Sequence, residues 1–366
     1  MNEMTPLETD IRQRIAAAGP MPVGQFMSLC LGHPQHGYYV KRNPLGREGD
    51  FTTAPEVSQM FGELIGLWMA SVWQQMGSPE NVRVIELGPG RGTMMNDAMR
   101  AAKIVPDFVK AAVLHMVEIN EPLQTIQERT VGALDMPVFW HRSLGDVPAG
   151  SAIVVANEFF DALPINQAVK MADGWHRRAV AIDSEGAFMY QAEPQPIPHF
   201  ATTLPQTVRN APEGEIFEWR SDTETMDLGR RIARDPSVAL VIDYGHAEST
   251  TGETLQAVRE HLFADPLGNP GEADITAHVD FEALGRSFES MGARTFGPVT
   301  QAAFLNRLGI DTRAQTLKAN LSRAKAHEID AAMARLTGAG RTGMGALFKA
   351  IAVTHPKLGV PPAFEN

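Results

Sequence analysis

Cysteine is almost absent from this sequence: Cys30 is the single one among 366 residues. One cysteine excludes an intramolecular disulfide and a metal cluster held by several thiolates. The surrounding stretch, FMSLCLGH, is largely apolar and is typical of one face of a helix. We therefore expect Cys30 to be a buried thiol and not a catalytic one.

The sequence also lacks a surplus of positive charge and any long hydrophobic run. Its 43 acidic residues outnumber 32 lysines and arginines, giving a formal net charge of −11. This balance argues against nucleic acid as a partner, because phosphate binding needs positive surface. No apolar run approaches the roughly 18 residues of a membrane span. The start, MNEMTPLETDIRQRI, resembles neither a signal peptide nor a transit peptide, so we expect a cytoplasmic, bacterial protein.

Strand and helix patterns alternate along the middle of the chain. Short apolar runs are separated by helical segments such as TMMNDAMRAAK and EPLQTIQERTV. Because the runs are apolar at nearly every position, we expect strands buried on both faces of a parallel sheet, in an α/β fold. The runs are NVRVIEL, AAVLHMVEI, MPVFWH, SAIVVANEF and SVALVIDYG.

The organisation predicted around this sheet has two parts. Residues 1–79 are predicted to form an N-terminal helical segment, with Thr9 and Asp10 near the start of its first helix. A later helix in it has Pro55 in its first turn and Gly77 just past its end. Residues 80–355 form the main domain. Insertions near 170–235 and 246–275, some of them antiparallel, and a helical excursion near 300–340 interrupt its rhythm.

Glycines at every second position follow the first predicted strand, in ELGPGRGTM. Gly88, Gly90 and Gly92 make a tight turn and let a ligand lie against bare backbone. A dinucleotide fingerprint would have the spacing G-x-G-x-x-G, and a plain turn is a further alternative. Glu86 suits a cationic ligand end, and Glu118, at the end of the next strand, suits ribose hydroxyls. Together they favour S-adenosylmethionine.

The stretch VVANEFFDALPIN follows the fourth predicted strand, where a methyl acceptor would lie. Glu158 and Asp161 can hold a planar guanidinium through paired hydrogen bonds, and Phe159 or Phe160 can contact its face. The alternative is that Glu158 caps a following helix and that the phenylalanines are core residues. The Asn/Asp-Pro-Pro-aromatic motif expected for a neutral nitrogen acceptor is absent.

A further strand ends in VIDYGH, at the same rim. Asp243 is a candidate structural cap, Tyr244 a candidate pocket residue, and His246 a candidate proton acceptor or plain hydrogen-bonding group. His33 and His36 invite a metal interpretation. Without nearby cysteines or paired acids, we expect no metal there.

These motifs together resemble one family: the class I methyltransferases that include the mitochondrial complex I assembly factor, a protein arginine methyltransferase, and its bacterial relatives. The resemblance covers about residues 20–355 and also includes GDFTTAPEVSQMFGELIG and DITAHVDFEAL. It implies a seven-stranded Rossmann-like fold, S-adenosyl-L-methionine, and symmetric dimethylation of an arginine on a complex I subunit.

Individual residues match the family's motifs. Ser143 departs from the acid found in some relatives, near the expected adenine contact. The resemblance implies that Gly88, Gly90, Gly92 and Glu118 bind the cofactor and that the segment with Thr52, Thr53, Pro55 and Glu56 closes over it. Glu86 and Asn157, at the ends of their predicted strands, are further candidates for cofactor binding.

Three functions are compatible with the sequence. The preferred one is a protein arginine N-methyltransferase, with Glu158, Asp161 and His246 as catalytic residues and Phe159 and Tyr244 contacting substrate. The second is a small-molecule methyltransferase of the same fold. The third is an assembly chaperone that keeps the cofactor as a structural ligand, which the intact glycines and Glu118 disfavour. A protein substrate is the expected partner, and a homodimer is left open.

Overall fold

The computed structural model describes residues 4–41, 53–319, 321–340 and 342–365. A short 3-10 turn covers Leu144–Asp146. The helices are α1 Pro6–Ala18, α2 Val23–Gly32, α3 Tyr38–Lys41, α4 Ala54–Val57, α5 Gln59–Gln75, α6 Thr93–Ala102, α7 Pro106–Ala111, α8 Glu121–Val131, α9 Phe200–Thr203, α10 Gln206–Arg209, α11 Thr223–Arg234, α12 Phe281–Ser290, α13 Gln301–Arg307, α14 Ile310–Lys318 and α15 Arg323–Thr337.

The strands are β1 Met21–Pro22, β2 Val82–Leu87, β3 Ala112–Val117, β4 Val138–His141, β5 Ala152–Asn157, β6 Ile165–Met171, β7 Gly174–Ile182, β8 Phe188–Pro196, β9 Ile216–Arg220, β10 Val238–His246, β11 Gln256–Arg259, β12 Leu262–Ala264, β13 Asp274–Thr276, β14 Val279–Asp280, β15 Arg294–Thr300 and β16 Phe348–Thr354. None of the described helices is long and apolar enough to span a membrane.

The chain divides into two compact units. The first, which we call the parallel-sheet unit, comprises the described residues of Thr52–Phe160, Asp222–Ala247 and Phe281–Asn366. The second, the antiparallel unit, comprises those of Met1–Phe51, Asp161–Ser221 and Glu248–Asp280. The sequence placed a boundary at residues 79 and 80. In the structure, α4 and α5 belong instead to the parallel-sheet unit.

The sheet of the parallel-sheet unit has the order β15-β16-β10-β5-β2-β3-β4. The pairs from β10 to β4 are parallel, whereas β16 runs antiparallel to β10 and to β15. Strand β5 is buried at all six positions, as its uninterrupted apolar sequence predicts for a strand covered on both faces. The expected α/β architecture is confirmed.

The chain order in this sheet locates the ligand end. From β2 the chain moves outward through β3 and β4, and then returns to the other side of β2 with β5 and β10. At such a switch point the carboxyl ends of the strands leave a crevice where ligands bind. Leu87, Val117, Asn157 and His246 end the four strands concerned.

Helices α5 and α6 pack against each other through glycine. A Cβ atom added to Gly62 would lie 2.8 Å from the Met94 carbonyl oxygen, and one added to Gly66 would overlap the Ala98 backbone. The two helix backbones are therefore in direct contact. This packing fixes α6, the helix that follows the glycine loop, against a long buried helix.

The antiparallel unit is built from two smaller sheets. One has the order β1-β7-β6-β9, with β8 also paired to β7, and the other has the order β12-β11-β13. All of these pairs are antiparallel. The sequence predicted antiparallel excursions after residue 182, but not the pairing of β1 from the N-terminal segment with β7. Its main core contains α1, α2 and the apolar faces of β6 and β7.

Two helix starts differ from the prediction. Thr5, and not Thr9 or Asp10, caps α1 by accepting a hydrogen bond from the Glu8 N–H at 3.0 Å. The predicted continuous helix from Pro55 is broken at Ser58, whose backbone is extended (φ −162°, ψ 139°). The Ser58 hydroxyl accepts from the Met60 N–H at 3.2 Å, so it starts a new helix, which apolar periodicity alone does not reveal.

Candidate functional site

The glycine loop joins β2 to α6 at the carboxyl edge of the sheet. Gly88, Gly90 and Gly92 have φ angles of 63°, 55° and 78°, in the left-handed region that residues with a Cβ rarely adopt. Gly92 is the N-cap of α6 and supplies no side-chain cap. The first N–H groups of α6 are therefore left to a ligand or to water.

Buried oxygens without partners lie beside this loop, at the ends of neighbouring strands. Glu86 is 3% exposed, and its Oε2 atom has no hydrogen-bond partner among the described residues. The same holds for Oδ1 of the buried Asn157. Burial and the nearby Glu118 carboxyl group raise the pKa of Glu86 well above its usual range. Buried polar groups are nearly always paired in folded proteins, so these atoms indicate a ligand that donates hydrogen bonds or carries positive charge.

Glu118 follows β3 and is held from two directions. Its Oε1 accepts from the Asn120 N–H at 2.8 Å, and its Oε2 accepts from Nε2 of Gln127 at 3.1 Å. Its own N–H donates to the His141 carbonyl at 2.9 Å. Burial raises the pKa of Glu118, and hydrogen bonds to its carboxylate from Asn120, Gln127 and the Ile119 backbone act in the opposite direction. The group is thus oriented and has lone pairs left for ribose hydroxyls.

Sequence reasoning missed several residues around Glu118. Ile119, directly after Glu118, is apolar and 58% exposed. Gln127 is fully buried. A signal for Gln127 was present: it lies with Leu123 and Val131 on one face of α8, the only polar member of that i, i+4, i+8 series.

The site therefore has the features that S-adenosyl-L-methionine requires. An amino group or sulfonium suits the buried Glu86 carboxyl, ribose hydroxyls suit Glu118, and the glycines give the loop its tight left-handed turn beside both acids. The predicted cofactor residues of β2, β3 and β5 are brought to one edge of one sheet. Ser143 is turned to its own helical turn, where its hydroxyl donates to Asp146 at 2.8 Å.

Glu158, directly after β5, has an unusual backbone. Its φ of 50° lies in the left-handed region, although it is not a glycine. Its N–H donates to the Ile242 carbonyl at 2.9 Å, and its Oε1 accepts from the Ala54 N–H and from Nδ2 of Asn157, both at 3.1 Å. The alternative that it caps the following helix is wrong: a turn and then β6 follow, and Glu158 caps α4 instead.

Helix α4 is hydrogen-bonded both to Glu158, after β5, and to Thr93, directly after the glycine loop. Thr53 is its N-cap but makes no side-chain capping bond, and Pro55 lies in its first turn. Glu56 Oε1 accepts from the Thr93 hydroxyl at 2.8 Å, directly after the glycine loop. Since Glu158 holds the start of α4, this segment is hydrogen-bonded to both the loop and the end of β5. Thr52 lies outside the described residues.

The phenylalanine pair has two different environments. Phe159 is partly exposed, and its Cδ2 lies 3.0 Å from where a Cβ of Gly88 would be, so the ring covers the first loop glycine. Phe160 is 1% exposed and packs edge-on to Phe159. Phe159 therefore remains available to a ligand, whereas Phe160 is a core residue.

The end of β10 is largely structural. Asp243 is fully buried, and its carboxylate accepts from the N–H groups of Phe160 at 3.0 Å and Tyr244 at 2.9 Å, as expected for a cap. The Tyr244 ring packs 5.4 Å from that of Phe348, in the core. His246 is partly exposed at the last position of the strand.

Asp161 belongs to the antiparallel unit. It is 6% exposed, and its carbonyl accepts from the Ala277 N–H at 3.1 Å and from Nη2 of Arg220 at 3.3 Å. These bonds tie the start of the unit's second chain segment to residues just before β14.

The cysteine and the two histidines of the N-terminal segment have structural surroundings. Cys30 is fully buried, and burial raises the pKa of its thiol to about 12. His33 and His36 stack with ring centroids 5.2 Å apart, and Nδ1 of His33 accepts two backbone N–H groups. Within the described ranges, no three His, Cys, Asp or Glu side chains are grouped to hold a metal.

Comparison with known proteins gives consistent relatives. A family described as "Putative S-adenosyl-L-methionine-dependent methyltransferase" matches residues 64–299. The "Protein arginine methyltransferase NDUFAF7 homolog, mitochondrial" of Drosophila melanogaster is 36% identical, over 95% of this chain and 84% of that protein. The human "Protein arginine methyltransferase NDUFAF7, mitochondrial" is 35% identical, over 86% and 76%.

A solved structure has the same fold over nearly the whole chain. It is a "likely methyl transferase" from Burkholderia thailandensis bound to S-adenosyl-homocysteine. The two proteins are 29% identical, with a TM-score of 0.86 that covers 98% of this chain and 94% of the other. The bound molecule is what S-adenosyl-L-methionine becomes once its methyl group has been transferred.

Proposed function

We propose that this chain is a protein arginine N-methyltransferase, and the premise is its family: it belongs to the S-adenosyl-L-methionine-dependent methyltransferases. It is an enzyme with S-adenosyl-L-methionine as its cofactor. Arginine as the acceptor rests on the names of the animal relatives, which cover most of this chain. The motifs resembling the complex I assembly factor favour an acceptor on a respiratory complex I subunit, or else on another protein.

The observation that carries the proposal is the placement of Glu158. Its carboxylate lies at the end of β5, next to the orphaned oxygen of Asn157 and to Phe159, which covers the glycine loop. A carboxylate there suits a planar cation, because guanidinium N–H groups form short charge-assisted bonds to it. A neutral small acceptor would not need a fixed negative charge at this point.

Each proposed catalytic group then has a distinct task. S-adenosyl-L-methionine supplies an electrophilic methyl group on a sulfonium. Glu158 orients one guanidinium nitrogen and stabilises its positive charge, with Asp161 as the second carboxylate. His246 is the proposed acceptor of the proton that leaves the nitrogen. Phe159 and Tyr244 are the proposed substrate contacts, and Phe159 also excludes water from the loop.

The test uses S-adenosyl-L-methionine labelled in its methyl group. The purified enzyme is incubated with an extract of source cells that lack the gene, and protein hydrolysates are separated for methylarginines. We expect labelled methylarginine with the wild type and at least tenfold less with Glu158→Gln, since a charged hydrogen bond is lost. Cofactor affinity should change less than twofold. Gln keeps an Oε1 acceptor for the Ala54 N–H, so α4 keeps its cap.

Other distributions of the label would contradict the proposal. Label found only in small molecules would indicate the small-molecule methyltransferase, and normal labelling by Glu158→Gln would make that residue structural. The cytoplasmic location and the homodimer stay predictions, and the animal relatives named above are described as mitochondrial.

A further inference from the structure

Gln127 makes a complete set of hydrogen bonds between three parts of the cofactor side. Its Nε2 donates to the Gly90 carbonyl at 2.8 Å and to Oε2 of Glu118 at 3.1 Å. Its Oε1 accepts from the indole N–H of Trp140 at 2.9 Å. The side chain is fully buried in the middle of α8.

The orientation of the carboxamide is dictated by its partners. An indole N–H can only donate, so the Gln127 oxygen must face Trp140. The NH₂ group then faces two acceptors: the Gly90 carbonyl, and the Glu118 carboxylate in its ionised form. Each hydrogen of the NH₂ group has one acceptor, and no other orientation satisfies all three contacts.

Packing of α8 against the glycine loop fixes the position of the Gln127 carboxamide. A Cβ added to Gly92 would lie 3.6 Å from both Cα and Cγ of Gln127. The helix backbone at Gln127 is therefore close to the bare backbone of the loop's last glycine. The amide is held by α8 on one side and by the loop on the other.

We propose that Gln127 is a positioning residue that sets the Glu118 carboxylate relative to the glycine loop, so that ribose hydroxyls and the rest of the cofactor fit at the same time. The proposal rests on the S-adenosyl-L-methionine dependence of the family and is independent of the methyl acceptor. The hydrogen bond from Gln127 also lowers the pKa of Glu118 against the raising effect of burial, which favours the ionised, accepting carboxylate.

A purely structural role makes a different prediction. If Gln127 only satisfies Trp140 and fills space in the core, its loss weakens the fold and affects ligand binding equally with or without Glu118. If it acts through Glu118, its effect on binding disappears once Glu118 is gone. A double-mutant cycle separates the two.

The experiment measures the dissociation constant of S-adenosyl-homocysteine by isothermal titration calorimetry for the wild type, Gln127→Met, Glu118→Ala and the double variant. We expect Gln127→Met to weaken binding about tenfold in the wild-type background. In the Glu118→Ala background we expect a change of less than about twofold. Trp140→Phe removes only the indole donor and should stay within about threefold, because the NH₂ group keeps both acceptors.

Two outcomes would overturn the proposal. One is equal weakening by Gln127→Met in both backgrounds, and the other is no weakening in either. Should Gln127→Met not fold, Gln127→Asn takes its place in the cycle, since it keeps the carboxamide and withdraws it by one methylene. Because S-adenosyl-homocysteine needs no acceptor, failure of the arginine proposal would leave these results unaffected.

Discussion

The turns after β2 and after β5 both contain residues with a left-handed backbone conformation, but the residue types differ. After β2, three glycines adopt φ angles of 55° to 78°, at no steric cost. After β5, a glutamate adopts φ 50°, a conformation that costs about 1–3 kcal/mol for such a residue. The strain at Glu158 persists because its N–H and its carboxylate are both fixed by partners in other elements.

The difference indicates what each side is for. On the cofactor side the tight turn needs left-handed angles at three positions, which glycine adopts without strain. In the proposed acceptor site the Glu158 carboxylate is itself required at the turn, so backbone strain is tolerated to keep it. The two acids differ as well: among the described residues, Oε2 of the buried Glu86 has no partner, whereas Oε1 of the partly buried Glu158 already accepts from two donors.

The largest expected effect comes from putting a side chain on the cofactor side. Gly90→Val should raise the dissociation constant of S-adenosyl-L-methionine more than a hundredfold, because a β-branched residue resists φ 55° and occupies the ligand's place. Gly77→Val is the matched control. Gly77 also has a positive φ (85°) but faces open space before the amino end of β2. Calorimetry should show near-normal affinity for the control, and an affinity loss shared by both variants would make the effect one of folding.

A smaller effect is expected from the unpaired acid. Glu86→Gln should weaken cofactor binding about tenfold at pH 7.5. The raised pKa of Glu86 means that it is partly protonated in the free protein as pH falls, whereas a cationic ligand binds its ionised form. Wild-type affinity should therefore rise with pH, by at most about tenfold per unit, until Glu86 is fully ionised.

The Glu86→Gln variant is the control for the pH dependence of cofactor affinity. Titrations from pH 5.5 to 8.5 should show a shallower slope for Glu86→Gln, with the remainder due to Glu118, whose pKa is also raised. If affinity depended on pH equally in the wild type and in Glu86→Gln, then Glu86 would not bind the cationic end of the cofactor.

The smallest effect tests the strain directly. Glu158→Gly and Glu158→Ala both remove the carboxylate, but only glycine relaxes the left-handed backbone. The glycine variant should be more stable by about 1 kcal/mol in urea unfolding. At Glu128, exposed within α8, the same pair should have the opposite order, since glycine is the poorer helix former. Equal stabilities at position 158 would mean that no strain is stored there.

The glycine loop on the cofactor side was predictable because the residues that form it are contiguous in the sequence. Glu86 to Thr93 are contiguous, and the alternation of apolar strands and helices identified the sheet. The seven-stranded arrangement came from family resemblance. Strand β15 was not anticipated, because its sequence, RTFGPVT, is only partly buried and contains Gly297-Pro298.

The proposed acceptor side, around Glu158, was less predictable because its contacts join segments that are distant in the sequence. Nothing around Glu158 signals a left-handed backbone, and its partner Ala54 lies 104 positions away. Asp243 and Phe160 are separated by 83 positions. The role of Gln127 depends on the Gly90 carbonyl and Trp140, which only the folded sheet brings to α8.

The backbone contact between α5 and α6 has a consequence for mutational tolerance. Any side chain larger than hydrogen at Gly66 would push against Ala98, and α6 begins where the glycine loop ends. A saturation-mutagenesis survey scored by growth or activity should therefore find Gly66 as intolerant as a position in the glycine loop, although it lies in α5. Neutral substitutions in this part of α5 are therefore limited, because they would displace α6 and with it the glycine loop that precedes α6.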